Sequence, residues 1–218
     1  MTDEVKPRRA YRSVKRAEQV AQTRHDILAT AGALFRQGGY SGASMPQIAT
    51  DAGVAVETVY RAFGSKAGLF SAVIEAAVAG GAARAEVPVV ERPAIRAIQE
   101  EGDPRRQIEL YAATQPGIHR RAGPLLRALA AASVSDPELH SLWERIETGR
   151  LHGQGGFVAM LAERGSLRPG LAVEEGRDGL WVLTSLAVWD LLVTTLGWSV
   201  ERYERWLADR LIDLLLPR

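Results

Sequence analysis

The sequence predicts an all-α protein, and three observations support this class. Apolar residues recur every three or four positions along most of the chain, as they do on the buried face of a helix. No stretch of any length alternates apolar and polar residues in the manner of a strand. Glycine and proline fall mainly between the apolar stretches, where they end helices. At 218 residues the chain can form one large domain or two smaller ones.

Charge is unevenly distributed along the chain, although the net charge is only +1. Residues 1–66 hold ten Lys and Arg against six Asp and Glu, a net charge of +4, and the remainder carries −3. A basic N-terminal third fits local contact with a polyanion. The absence of cysteine excludes disulfides and thiolate chemistry, and the N terminus shows no apolar signal segment. We therefore expect a cytoplasmic protein.

The first 66 residues divide into an arm and a helical domain. Residues 1–15 are predicted to form a flexible basic arm, which either follows DNA phosphates or is a solvated tail, because cationic residues dominate there: Lys6, Arg8, Arg9, Arg12 and Lys15. The domain is predicted over residues 16–66. Its first helix is expected from about Ala17 to Gln37, ends at Gly38-Gly39 and has a buried stripe of Ile27, Ala31, Leu34 and Phe35.

The stretch 44–66 predicts two short helices joined by a tight turn. Ser44 can cap the first helix, and Gly53 can end it with a positive φ angle. The second helix places Val59 and Phe63 four residues apart on one inward face. Two short helices joined by a turn that contains glycine form the helix-turn-helix plan, whose second helix enters the major groove of DNA.

Helical geometry turns Glu57 and Arg61 outward when Val59 and Phe63 face the core. Glu57 can accept a hydrogen bond from cytosine N4, and Arg61 can donate to guanine or to a phosphate. An i,i+4 ion pair on the surface of an ordinary helix would explain the same spacing. The spacing alone therefore does not decide between contact with DNA and a surface pair.

A family resemblance favours DNA contact. It rests on Thr23–Leu28, on Ala31, Leu34-Phe35 and Gly39-Tyr40, and on these residues in order: Ile48-Ala49, Ala52-Gly53-Val54, Thr58-Val59-Tyr60, Phe63-Gly64-Ser65-Lys66 and Leu69-Phe70. This series, over roughly residues 20–72, resembles the DNA-binding domain of the TetR family of bacterial repressors. The sequence departs from the family pattern at Ala55, Ala62 and Gly68, where the family usually has Ser or Thr, His or Tyr, and an acidic residue. The first and last departures weaken caps at two helix starts.

The resemblance implies which residues contact DNA. Thr58, Tyr60 and Lys66 match positions that hold phosphates, and residues 55–57 match positions that read bases. The complete set of expected DNA-binding residues lies on the two short helices and their flanks: Ser44, Met45, Gln47, Ala55, Val56, Glu57, Thr58, Tyr60, Arg61 and Lys66.

Residues 67–218 are predicted to be helical throughout, apart from loops. A fourth helix is expected from Ser65 to Gly80-Gly81, and a loop with one short helix over Glu86–Asp103. The remaining helices are predicted from Pro104 to Thr114, from Ile118 to Ser133 after an interruption at Pro116, from Pro137 to Arg164, from Val173 to Leu196, and after Ser199. The apolar run 180–198 holds Asp190 and barely reaches the length of a membrane span, so we expect a buried helix and no membrane association.

The resemblance also implies a C-terminal helical domain that binds a small molecule and forms a homodimer. Candidate ligand-binding residues are aromatic or polar, although each can equally fill the core: Tyr111, Gln115, His119, Trp143, Glu147, His152, Phe157, Trp181 and Trp189. The dimer interface is expected on the last two helices at Leu183, Leu191, Val200, Tyr203, Leu207 and Leu211. Asp190 is expected at the dimer seam or at the ligand.

The most consistent interpretation is a homodimeric repressor that binds a pseudo-palindromic DNA operator and is released by an unknown small-molecule effector. The four histidines are scattered and no catalytic spacing stands out, so an enzyme is not expected, nor a metal site or cofactor. A helical adaptor that binds protein partners is the main alternative, and an enzyme that uses the C-terminal cavity is a weaker one.

Overall fold

The computed structural model describes residues 8–217, the first seven of these as backbone only, and contains no strand in that range. Its α-helices are α1 (Arg8–Gly42), α2 (Met45–Asp51), α3 (Val56–Phe63), α4 (Lys66–Ala79), α5 (Ala82–Ala85), α6 (Pro93–Glu100), α7 (Pro104–Ser133), α8 (Pro137–Glu163), α9 (Val173–Leu183), α10 (Leu186–Trp189) and α11 (Val200–Leu215). A 3-10 turn covers Val89–Glu91 and a π-helical segment covers Asp190–Thr195. The predicted all-α class is confirmed.

Helix α1 is longer at its start than the sequence predicts. Residues 8–15 form its first turns, so the prediction of a flexible arm is wrong for them, and residues 1–7 lie outside the described part of the chain. No glycine or proline occurs between Arg8 and Ala31, and nothing in the sequence stops the helix there. At the other end, Gly39 has a φ of 66° and interrupts the helical backbone, which agrees with the predicted end.

The helices of the helix-turn-helix share one hydrophobic core with part of the C-terminal region. Ile27, Phe35, Ile48 and Val59 from α1, α2 and α3 are fully or almost fully buried together with residues of α4. The same core includes Leu125 and Leu129 of α7 and Leu139 and Leu142 of α8. Packing is therefore continuous from the N-terminal helices into α7 and α8.

Helix α7 runs through Pro116, where the sequence predicts an interruption. A proline inside a helix costs about 3 kcal/mol because it removes one backbone hydrogen bond and crowds the preceding turn. Helix α7 packs against α1, α4, α8 and α11, and Pro116 itself is buried. This packing on several sides offsets the cost, so the prediction of two separate helices is wrong.

The predicted helix from Val173 to Leu196 is broken at Thr184 and Ser185. Ser185 has an extended backbone and its side chain accepts a hydrogen bond from the Val188 N–H, so it starts a new helix. The backbone after α10 continues as the π-helical segment. The break separates the buried face of α9 from a surface that carries Leu191 and Leu196.

A second core cluster occupies the far end of the molecule. It joins α6, α7, α8, α9 and α11 through buried side chains that include Ile108, Leu161, Leu180, Leu207 and Leu215. In the described residues no single helix is long and apolar enough to cross a membrane, and only the bent pair of α3 and α4 passes by length and composition.

Candidate functional site

Helix α3 turns one side to the core and the other to solvent. Val59 is fully buried and Phe63 is half-buried, as their spacing predicts, while Glu57 and Arg61 are exposed and Tyr60 is 49% exposed. Within residues 8–217 no ion pair joins Glu57 to Arg61. A surface ion pair therefore does not account for their spacing.

Helix α2 has the predicted cap but one misassigned residue. The Ser44 hydroxyl accepts a hydrogen bond from the Gln47 N–H at 3.3 Å, and both residues are exposed. Met45 is only 4% exposed, because it packs in the core beside Ile48 and Ala49. The predicted contact between Met45 and DNA is therefore wrong.

The start of α3 lacks a side-chain cap, as expected from alanine at this position. Ala55 is the N-cap residue, is exposed, and makes no side-chain hydrogen bond. The Thr58 N–H donates to the Ala55 carbonyl at 2.9 Å, and Val56 and Thr58 are half-buried. Helix starts of this kind present backbone N–H groups and a positive partial charge, which favour anions.

The start of α4 lies against both the aromatic core and α8. The Lys66 ammonium stands 4.3 Å from the centre of the Tyr40 ring, and partial burial lowers the pKa of this lysine. The Ser65 hydroxyl caps α4 by accepting from the Gly68 N–H at 3.0 Å and donates to Glu138 of α8 at 3.1 Å. The N-terminal end of α4 is thus tied to the C-terminal region at the residue next to Lys66.

A groove of about 510 Å³ lies between α1 and α3, and the helix-turn-helix motif predicts no role for the residues on its α1 side. Arg24 crosses the end of the groove, where its guanidinium donates to the Ala62 carbonyl at 3.1 Å and stacks 4.4 Å from the Phe63 ring centre. Thr23 and Arg24 belong to the family pattern, which is the signal that could have identified this side. The groove is lined by Arg16, Gln19, Val20, Thr23, Arg24, Ile27, Thr58, Arg61 and Ala62.

Polar and aromatic residues from three helices meet in the C-terminal part of the molecule, and we call this group the interior cluster. Helices α7, α8 and α9 each contribute residues at helical spacing to it: Tyr111, Gln115 and His119, then Glu147, Arg150, Gln154 and Phe157, then Trp181 and Thr184. The Arg150 guanidinium donates to Glu147 at 2.9 Å and to the Trp181 carbonyl at 2.8 Å. Gln154 donates to the Thr184 hydroxyl at 2.7 Å.

Within this cluster, His119 belongs to an aromatic group that also contains Trp189 and Tyr203. Its ring stacks on Trp189 at 5.1 Å between centroids, and its Nε2 is 3.5 Å from the Tyr203 hydroxyl. Burial, and to a lesser extent the Arg150 charge, lower the pKa of His119 to about 4. The imidazole is therefore neutral at pH 7.

Six of the nine predicted ligand-binding residues lie in the interior cluster, Trp189 stacks against its His119, and two lie elsewhere. Trp143 packs against the first core cluster, and His152 is exposed. Asp190 forms a bidentate ion pair with Arg127, whose Nε and Nη2 atoms donate to the two carboxylate oxygens at 2.9 and 2.6 Å. The partner of Asp190 therefore lies in the same chain. Within the described range no group of three or more His, Asp or Glu could hold a metal ion.

The structure overturns half of the predicted dimer interface. Tyr203, Leu207 and Leu211 are fully buried within the single chain, where they pack on α7 and α9. The sequence shows that α11 has an apolar face but does not show which partner covers it. Leu183 and Val200 are half-buried, and Leu191 is 60% exposed.

Comparison with known proteins agrees with this geometry. Residues 27–73 match the family model described as bacterial regulatory proteins, tetR family. Curated protein sequences give no match. A structure from Mesorhizobium loti, described as a TetR-family transcriptional regulator, is 21% identical with a TM-score of 0.67, over 91% of this chain and 98% of that chain.

Two further similar structures contain ligands. A transcriptional regulator from Saccharomonospora viridis in complex with choline is 18% identical with a TM-score of 0.67, over 90% of this chain and 99% of that one. The regulator FadR from Bacillus subtilis in complex with stearoyl-CoA is 18% identical with a TM-score of 0.66, over 86% of this chain and 96% of that one. Residues 27–73 therefore match the model of the tetR family of bacterial regulatory proteins, and over most of its length the chain shares its fold with structures described as transcriptional regulators.

Proposed function

We propose that this protein is a transcriptional repressor that binds a pseudo-palindromic operator as a homodimer and leaves it when a small molecule binds. The observation that carries the proposal is the division of α3 into a buried side at Val59 and an exposed side at Glu57, Tyr60 and Arg61. That arrangement leaves the outer side chains free to enter a major groove, and the family match covers α3 entirely. The protein then acts in the cytoplasm, where the DNA is.

Phosphate contacts supply most of the affinity in this proposal. Tyr60 stands out from α3, Lys66 lies at the start of α4, and Arg61 borders the groove toward α1. Each neutralised phosphate releases counterions, so affinity falls steeply as salt is raised. Fluorescence anisotropy of a labelled duplex, titrated from about 50 to 200 mM salt, should show affinity falling by several orders of magnitude. Absence of binding even at the lowest salt would refute the proposal.

The dimer surface is proposed on the exposed apolar side chains of α9 and the π-helical segment. Val182, Leu191 and Leu196 are 53%, 60% and 64% exposed, and exposed apolar groups on neighbouring elements are typical of an interface. A second copy of the chain is the proposed occupant, since two recognition helices require a two-fold contact. Leu191→Asp should keep its helical circular dichroism but sediment as a monomer. A dimer of Leu191→Asp with unchanged stability would place the interface elsewhere.

The interior cluster is the proposed effector site. It combines aromatic walls with a few directed polar groups, which is the usual form of a small-molecule site. The choline and stearoyl-CoA complexes of the two similar structures show that proteins of this fold accept chemically different small molecules. They do not indicate which of these chemistries applies here, because the identities are only 18%.

Contacts of α7 and α8 with the two ends of α4 support a route from the effector to the DNA-binding helices. Arg121 of α7 donates to the Ala77 carbonyl at 2.8 Å and to the Val78 carbonyl at 3.3 Å, at the end of α4. Glu138 of α8 accepts from Ser65 at the start of α4. A shift of α7 or α8 would therefore move α4. Full release from DNA requires an effector that binds the DNA-free conformation more tightly than the DNA-bound one by about 5 kcal/mol.

A further inference from the structure

Three buried polar atoms of the C-terminal region lack a hydrogen-bond partner among residues 8–217. They are His119 Nδ1, Gln154 Oε1 and Trp181 Nε1. His119 and Gln154 are 5% and 4% exposed, so neither side chain can reach bulk water. Buried polar groups are almost always hydrogen-bonded in folded proteins. Three unpaired atoms on helices α7, α8 and α9 therefore indicate a binding site for another molecule.

The hydrogen-bonding character of two of these atoms is fixed by their surroundings. The Thr184 hydroxyl donates to the Leu180 carbonyl at 2.8 Å and must therefore accept from Gln154, which puts the Gln154 amide nitrogen on Thr184. The Gln154 oxygen is left as a free acceptor. An indole nitrogen can only donate, so Trp181 offers a free donor. His119 Nδ1 donates or accepts according to its tautomer.

The charges around these atoms are already neutralised. Arg150 is paired with Glu147, and Arg127 is paired with Asp190. The charged side chains that act on His119 are Arg150, Arg127 and Asp190, all of them in these two ion pairs, and the other members of the interior cluster carry no formal charge apart from Glu147. An ionised ligand would lose its hydration without gaining a counter-charge, which is unfavourable. The site therefore selects against anions and cations.

Aromatic rings lie in the same part of the molecule as the three atoms. Tyr111 stacks on Phe157 at 4.7 Å with 21° between the ring planes, and His119 stacks on Trp189 at 5.1 Å with 25°. A flat aromatic ligand gains from stacked or edge-to-face contact with rings of this kind. The side chains of Arg150 and Glu147 remain 25% and 24% exposed, so the cluster reaches the surface at this pair.

We propose that the effector of this protein is an uncharged, flat aromatic compound that carries both a hydrogen-bond donor and an acceptor, such as an aromatic amide. Its donor binds the Gln154 oxygen, its acceptor binds the Trp181 indole N–H, and its ring stacks in the aromatic group near His119. This inference rests on the proposed effector-binding role of the interior cluster and adds the chemical class of the effector.

Probes that share an aromatic ring but differ in the charge and hydrogen-bonding groups of one substituent can test the proposal. Isothermal titration of the full-length protein, without DNA, would compare 2-naphthamide with 2-naphthoate and 2-naphthylmethylammonium, and benzamide with benzoate and benzylammonium. The amide of each scaffold should bind at least about tenfold more tightly than its two charged counterparts. Tighter binding of a charged member, or no binding of either amide at its solubility limit, would overturn the proposal.

Substitutions then locate the site. Trp181→Phe keeps an aromatic ring but removes the N–H together with the five-membered part of the indole, and Gln154→Leu removes the free acceptor, so each should weaken amide binding about three- to tenfold. Trp198→Phe is the matched control, because Trp198 contacts Arg202 and Trp206 of α11 and none of the three atoms, and it should bind amides like the wild type. Unchanged amide affinity in both Trp181→Phe and Gln154→Leu would also overturn the proposal. An amide that binds but does not release DNA would contradict the repressor model instead and leave the ligand class standing.

Discussion

The outer side of α3 and the interior cluster use similar side chains in opposite surroundings. Glu57, Tyr60 and Arg61 stand in solvent on a short helix that is held from behind by Val59. Gln154 and His119 are buried, and their side chains contact Thr184 after α9 and Tyr203 of α11. Changes on the outer side should therefore alter DNA affinity alone, whereas changes inside should alter stability as well.

The largest expected difference concerns stability. Leu207 is fully buried in the second core cluster, so Leu207→Ala should lower the free energy of unfolding by about 2–5 kcal/mol. Arg61→Ala, on the exposed side of α3, should stay within about 0.5 kcal/mol of wild type. Urea unfolding followed by circular dichroism measures both. Similar losses for the two variants would remove the distinction between the regions.

The interior region should also respond to pH through His119. Its pKa is about 4 in the folded protein and near 6.5 in the unfolded chain, because burial disfavours the charged imidazole. As pH falls from 7 through 4 the unfolded state takes up a proton first, so stability should fall by about 3 kcal/mol from this residue. His119→Gln should flatten that part of the stability profile, and His152→Gln, at an exposed position of α8, is the matched control. A wild-type profile as steep as that of His119→Gln would contradict the buried, neutral imidazole.

Two glycine-to-alanine substitutions extend the comparison to backbone packing, one where α3 meets α4 and one on α8. A Cβ atom at Gly68 would collide with the Phe63 carbonyl oxygen, so Gly68→Ala must push α3 away from α4. We expect a cost of about 1–3 kcal/mol in stability, together with weaker DNA binding. Gly153 of α8 faces open space, and Gly153→Ala should stabilise the protein by about 0.5–1 kcal/mol through helix propensity. Thermal unfolding of the two variants should shift in opposite directions.

The smallest expected effects come from single phosphate contacts. Tyr60→Phe should weaken binding to all duplexes alike by about 1 kcal/mol, because it removes one hydroxyl from the exposed side of α3. Lys66→Ala should act similarly and lower the salt slope by about one unit. Anisotropy titrations on two unrelated duplexes measure both effects. A change in the ranking of the duplexes would show that these residues read bases.

The N-terminal site was more predictable than the C-terminal one, because its information is local. The spacing of Val59 and Phe63, the cap at Ser44 and the glycine turn fix the outer side of α3 within twenty residues. The error at Met45 arose because the residue after a cap can turn inward as easily as outward. The acidic partner of Ser65 is Glu138, 73 residues further along the chain, and no local pattern could identify it.

The C-terminal region depends on contacts between distant residues. The apolar face of α11 was evident in the sequence, but whether α7 or a second subunit covers Leu207 was not. Pro116 would end an isolated helix, and only packing on several sides of α7 keeps it helical. The interior cluster arises from positions 111–119, 147–157 and 181–184, and only the fold brings them together.

The central claim is that the start of α3 reads bases, and selection of bound sequences from a random duplex library tests it most directly. The wild-type protein at low ionic strength should enrich an inverted repeat whose half-sites lie about one helical turn, or somewhat more, apart. The Glu57→Ala variant should enrich a repeat in which one equivalent position of each half-site accepts several bases, because each subunit loses one base contact. Identical repeats for the two proteins, or no enrichment by the wild type, would contradict the account.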